Sequence, residues 1–144
     1  MEKSEKAVQC FTQGFNCSQA VLTSNCESFG LDKETALKIA GSFGGGMAYT
    51  GEICGAVTGA LMLIGLKYGK YRLEDNEAKD KNYEKVQEFV KRFKDEFGSI
   101  RCTDLIKYDL TKEEERQKAR EAEAFKKTCS NLVKRSVEII EEIL

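Results

Sequence analysis

The chain reads as an all-α protein: a single multi-helix domain over residues 1–144 built around a central apolar, glycine-rich helix at about 53–67. Three observations predict this class. There is no proline to break helices. Apolar residues recur every three or four positions in most segments, and no run alternates as a half-buried strand would.

Residues 2–13 form the first expected helix, with Ala7, Val8 and Phe11 on one face. Gly14 ends it. Asn16-Cys17-Ser18-Gln19 has the form of a capping box, a polar cap with Gln three residues later. The helix it starts is expected to run to about Phe29, with Leu22, Cys26 and Phe29 as its apolar stripe and Gly30 at its end. Asp32 is the expected cap of a short helix reaching about Ala40. Residues 41–51 then form a glycine-rich loop.

Ile53 to about Lys67 is the central helix, ending in Gly69. Gly51, Gly55 and Gly59 repeat every four positions, which lets a neighbouring helix approach closely. The apolar core of about 14 residues is short of the roughly 18 needed to span a bilayer, so a buried helix is expected. Lys70–Lys81 reads as a charged connection. Tyr83, Val86, Val90, Phe93 and Phe97 follow helical spacing over the next segment, and Gly98 closes it. Ser99 is the expected cap of a short helix, Ile100 to Ile106. The final helix is expected from Thr111 or later, with Cys129, Leu132, Val133, Val137, Ile140 and Leu144 as its stripe. Residues 112–127 are mostly charged, either a solvated helical face or a flexible segment.

The net charge is −1, with 33% charged residues and no basic block, so no nucleic-acid partner is expected. The absence of histidine excludes Cys-His and Ser-His-Asp catalysis and histidine-containing zinc sites within one chain. The opening Met1-Glu2-Lys3-Ser4-Glu5-Lys6 has no apolar segment behind it. The expected location is therefore cytoplasmic, where thiols stay reduced unless they have a chemical task. Six cysteines in such a chain point to redox or metal chemistry more than to staples.

Cys54 is the first candidate, because it sits where a loop becomes a helix. Free N–H groups and the helix dipole there favour a thiolate. The bland alternative is a small apolar residue at a close helix contact, and Glu52 nearby works against an acidic thiol. Cys17 follows the Asn16 cap, and Cys102 lies three residues after Ser99, so both also fall in first helical turns. Cys129 lies on an apolar stripe and reads locally as core. Cys26 also fits a core stripe, and Cys10 has no special setting. No C-x-x-C motif is present, so cysteines that meet must come from separate segments. The glycine loop lacks the GK[ST] and preceding strand of a nucleotide-binding loop.

Several separated segments together resemble one family. They are Asn16-Cys17-Ser18-Gln19-Ala20-Val21-Leu22, Phe43-Gly44-Gly45-Gly46-Met47, Gly51-Glu52-Ile53-Cys54-Gly55-Ala56-Val57-Thr58-Gly59-Ala60-Leu61-Met62, Gly65-Leu66-Lys67-Tyr68-Gly69 and Phe97-Gly98-Ser99-Ile100-Arg101-Cys102. They resemble the C_GCAxxG_C_C family, described as redox-active. The resemblance implies four functional cysteines, Cys17, Cys54, Cys102 and Cys129, and so raises Cys129 from core to participant. Cys10 and Cys26 have no counterpart in it.

Three functions compete at this stage. The first is thiol–disulfide exchange with a redox partner or small molecule, Cys54 attacking and one of Cys17, Cys102 or Cys129 resolving. The second is a centre in which Cys17, Cys54, Cys102 and Cys129 hold Zn or an Fe–S cluster. The third is a helical interaction module, with the glycine helix serving a homodimer contact.

Overall fold

Asn16 and Asp32 start helices because their side chains satisfy N–H groups that no helical carbonyl reaches. In a computed structural model describing all of residues 1–144, the Asn16 side chain accepts from Gln19 N–H at 2.8 Å and the Gln19 side chain accepts from Asn16 N–H at 2.8 Å, completing the capping box. Asp32 accepts from Thr35 N–H at 3.0 Å. The helices are α1 (Lys3–Gln13), α2 (Cys17–Thr23), α3 (Lys33–Ala40), α4 (Gly55–Tyr68), α5 (Asn76–Phe97), α6 (Cys102–Ile106), α7 (Glu113–Glu121) and α8 (Ser130–Ile143). There is no sheet. A single antiparallel bridge pairs Ile53 with Arg101, and no helix is long and apolar enough to cross a membrane.

α4 lies at the centre and buries Ala56, Val57, Gly59, Ala60, Leu63 and Ile64. Its glycines set how close α2 comes. A Cβ on Gly59 would stand 2.7 Å from Ser18 O and 2.9 Å from Val21 Cβ, and one on Gly55 2.9 Å from Ser18 N. The small-residue face is thus occupied within the chain, and the expectation that it serves a homodimer does not hold for that face. Thr58 Oγ1 donates to Ser18 Oγ at 3.2 Å across the same contact. On the other side, Ser136 Oγ from α8 donates to Ala56 O at 2.7 Å, a buried bond that ties the last helix to the first turn of α4. Arg135 holds Glu96 of α5 through both carboxylate oxygens, at 2.8 and 2.9 Å.

Several boundaries differ from the sequence reading. α2 ends at Thr23, and Cys26–Phe29 is a separate 3-10 turn. The connection expected over Lys70–Lys81 is helical from Asn76, where the Asp75 side chain accepts from Ala78 N–H at 3.1 Å. The buried face of α5 centres on Phe89 and Phe93, whereas Tyr83 is exposed. The stripe read from sequence therefore missed Phe89, which heads the ring stack Phe89–Phe93–Phe97. The expected long C-terminal helix is divided: α7 is followed by a π-helical turn, Phe125–Cys129, and only then by α8. A π turn inserts an extra residue and rotates the chain before it relative to the helix after it.

The contrast between two glycines of α4 tests the central contact. Gly59→Ala is expected to lose about 1–3 kcal/mol by overpacking. Gly65→Ala, with nothing within 4 Å of the new Cβ, is expected to gain up to about 1 kcal/mol of helix propensity. Urea unfolding of both variants measures this; equal effects would show that Gly59 does not serve close approach.

Candidate functional site

The segment between α3 and α4 is where side-chain sterics are most violated. Gly45, Gly46, Met47, Ala48 and Tyr49 have φ of 64, 66, 72, 58 and 66°. Five successive residues in this region make a left-handed helical turn. It is closed by Ala48 N–H to Gly44 O at 2.7 Å and Glu52 N–H to Gly46 O at 2.9 Å. Left-handed backbone costs a non-glycine residue about 1–2 kcal/mol, so Met47, Ala48 and Tyr49 are held there by their surroundings. Gly46 explains part of the constraint: a Cβ on it would lie 2.6 Å from Cys102 Cβ and 2.7 Å from Glu52 N. The expected plain loop is thus a built element.

This turn forms one wall of a cavity of about 430 Å³. Cys17, Cys54, Cys102 and Cys129 all line it, with Gly44, Gly45, Gly46 and Gly55. Phe11, Phe15, Tyr49, Phe125 and Leu132 supply apolar surface, and no Asp, Glu, Lys or Arg reaches it. Each thiol arrives by a different route. Cys17 is the first residue of α2, placed by the Asn16 capping box. Cys54 is the N-cap of α4, and Cys102 opens α6. The bridge at Ile53 and Arg101 ties the segments of these last two together, with Cys54 N–H donating to Ile100 O at 2.8 Å and Cys102 N–H to Glu52 O at 2.6 Å. Cys129 ends the π turn. Cys10 and Cys26 do not line this cavity; Cys26 is fully buried and Cys10 lies 3.8 Å from Thr23 Oγ1.

Burial dominates the thiols' electrostatics, because charge is disfavoured away from water. It pushes Cys54 from 9.0 up to about 12, although the N–H groups of Ala56 and Val57 favour its thiolate. The helix start was expected to favour the Cys54 thiolate, but desolvation outweighs the two N–H groups. Burial likewise pushes Cys102 up to about 11. The neighbouring Cys17 thiol holds Cys129 below the ordinary value, and Cys129, with burial, pushes Cys17 well above it. Two neighbouring thiols that share one proton stabilise one negative charge and oppose a second. Cys17, Cys54, Cys102 and Cys129 are the sulfur donors this cavity offers to a metal, but no three His, Cys, Asp or Glu side chains are grouped closely enough to hold an ion in this arrangement.

The sequence reading missed Phe15, Tyr49, Phe125 and Leu132 as cavity walls and the N–H groups of the glycine turn. Only the glycine run carried a signal, which read as backbone freedom. A family model described as "Putative redox-active protein (C_GCAxxG_C_C)" matches residues 15–143. No curated protein and no solved structure matches the chain.

Cys54 and Cys102 give stability a pH signature. Unfolded, both ionise near 9.0; folded, they hold their protons to about 12 and about 11. Their contribution is full below pH 9 and is lost as pH rises through the folded values. Urea unfolding from pH ~8 to ~10.5 is expected to show stability falling by at most about 1.4 kcal/mol per pH unit for each thiol. Cys54→Ala is expected to flatten the fall; an unchanged slope would show that Cys54 is not a suppressed thiol.

Proposed function

The chain belongs to this family, C_GCAxxG_C_C, and on that premise we propose that it is a thiol-based redox protein performing thiol–disulfide exchange in the four-cysteine cavity. One observation carries the reading: Cys17, Cys54, Cys102 and Cys129, brought from four separate segments, line a single cavity. Exchange needs a thiolate and a second thiol within reach of the mixed disulfide, and thiols that share one cavity are the candidates for both parts.

The electrostatics favour Cys129 over Cys54 as the attacking sulfur. The Cys129 thiolate attacks one sulfur of a substrate disulfide. The Cys129–substrate S–S bond forms, the substrate's own S–S bond breaks, and its other sulfur leaves as a thiolate. That leaving thiolate takes the proton of Cys17. Cys17 then attacks the Cys129 sulfur, forming a Cys17–Cys129 disulfide and releasing the second substrate thiolate. The substrate gains two electrons and the cysteine pair loses two. Cys54 and Cys102, on the two segments joined at the Ile53–Arg101 bridge, form a second dithiol to which the disulfide passes by the same exchange. A four-cysteine zinc or iron–sulfur centre is the alternative; it requires the sulfurs to close up from their present positions.

Differential alkylation after brief oxidation tests the proposal. A reversible Cys17–Cys129 disulfide is expected first, with Cys10 and Cys26 unchanged. Cys129→Ser and Cys17→Ser are expected to abolish it, and Cys54→Ser to leave it intact. Failure of that disulfide to form would refute the assignment. Thiols that become reactive only after a chelator is added would favour the metal centre.

A further inference from the structure

The chemistry of the cavity wall restricts what can reach the thiols. Phe11, Phe15, Tyr49 and Phe125 contribute rings to it, and no Asp, Glu, Lys or Arg reaches it. Its one amide side chain is already engaged: Asn16 Oδ1 accepts from Gln19 N–H at 2.8 Å, and Asn16 Nδ2 donates to Gly41 O at 3.2 Å and to Ala40 O at 3.4 Å. A carboxylate carried in would lose its water without meeting a side-chain cation, and the Cys129 thiolate of the redox reading would repel it. An ammonium would find no carboxylate there. The thiols themselves are 4–8% exposed. A molecule must therefore enter the cavity to reach them, which a disulfide fixed in a folded partner does not do. The volume of about 430 Å³ is that of a small-molecule site.

Tyr49 supplies an independent observation. It holds a left-handed conformation, φ 66°, that a tyrosine avoids, and strain of this kind gathers at ligand sites. The strain is spent on placing a ring at the cavity wall that stays 46% exposed. The ring lies against Gly45, where a Cβ would stand 2.6 Å from Tyr49 Cδ1. Arg116 sits over it, its guanidinium carbon 5.0 Å from the ring centroid, and is itself fixed by donating from Nη1 to Leu110 O at 2.8 Å. Phe15, 39% exposed, is a second accessible ring of the same wall. Two large apolar side chains are thus held partly in solvent beside buried thiols.

We propose that the cavity takes a small, neutral, apolar organic disulfide, recognised at its entrance by the rings of Tyr49 and Phe15. This names the substrate class of the redox site and rests on that reading. The aromatic walls take the hydrocarbon part of the molecule by burial and ring contact, which leaves its sulfur facing the cysteines.

Benzyl alcohol and benzoate carry the same ring, differ in charge and contain no sulfur. Each is titrated into the intact reduced protein while the ring resonances of Phe15, Tyr49 and Phe125 are followed by NMR. Saturable shifts with benzyl alcohol are expected, with benzoate binding weaker by at least about tenfold. Tyr49→Ala is expected to weaken benzyl alcohol binding by about threefold or more, read at Phe15 and Phe125. Tyr83→Ala, at an exposed ring that does not line the cavity, is expected to leave it unchanged. No saturable shift, or benzoate bound as tightly, overturns the proposal; unchanged affinity in Tyr49→Ala overturns the role of its ring. Binding needs no disulfide and is read equally in Cys129→Ser, where exchange is lost, so a failed substrate class and a failed redox reading give different results.

Discussion

The close approach of α4 to α2 is the contact on which the rest depends. Two helices can meet backbone to backbone only where no Cβ intervenes, and Gly55 and Gly59 provide that opening opposite Ser18. The consequence reaches beyond packing. Cys17 starts α2 one residue before Ser18, and Cys54 precedes Gly55, so the approach that makes the core also brings two thiols to one cavity. Gly55 has Cys17 Cβ within 3.0 Å of where its own Cβ would be. The functional geometry and the hydrophobic core are therefore consequences of the same contact.

The site is organised by exclusion of water more than by added charge. Burial alone would silence all four thiols. Cys129 is the exception, since the neighbouring Cys17 thiol favours its charged form although it is buried. The left-handed turn over Gly45–Tyr49 stores strain directly against their cavity. Its neighbours hold it: Glu52 N–H bonds back to Gly46 O, and Cys102 N–H bonds on to Glu52 O. Relaxing the turn would disturb the strand-like bridge that joins the Cys54 and Cys102 segments.

Local chemistry made much of the fold legible. Capping residues announced α2 and α3, and the apolar stripe of α8 was readable from its spacing. What failed was the geometry between elements. The spacing Tyr83, Val86, Val90, Phe93 and Phe97 identified a helix and most of its packed face, but it included exposed Tyr83 and missed buried Phe89, because only tertiary packing decides which of those two turns inward. The π turn before Ser130 has no residue signature, so one long helix was expected there. At the site, the residues of the four cysteines were identified through family resemblance, and local sequence had placed Cys129 in the core. Cys54 was misjudged electrostatically because a helix start is visible in sequence and desolvation is not. The left-handed turn was hidden because Met47, Ala48 and Tyr49 are residue types that avoid that conformation.

Cys17 and Cys129 are separated by roughly a hundred residues of chain, yet both line one cavity. Ribosomes deliver roughly 5–20 residues each second, so Cys17 emerges several seconds before Cys129 exists. During that interval α2 and α4 can pair through Ser18 and the glycines, but the cavity lacks the wall that Phe125, Cys129 and Leu132 complete. The four-cysteine cavity is therefore completed last, when the segment carrying Cys129 docks onto a nascent core that already holds Cys17, Cys54 and Cys102. A chain released before its final helix is made would carry its cysteines without the device that sets their reactivity.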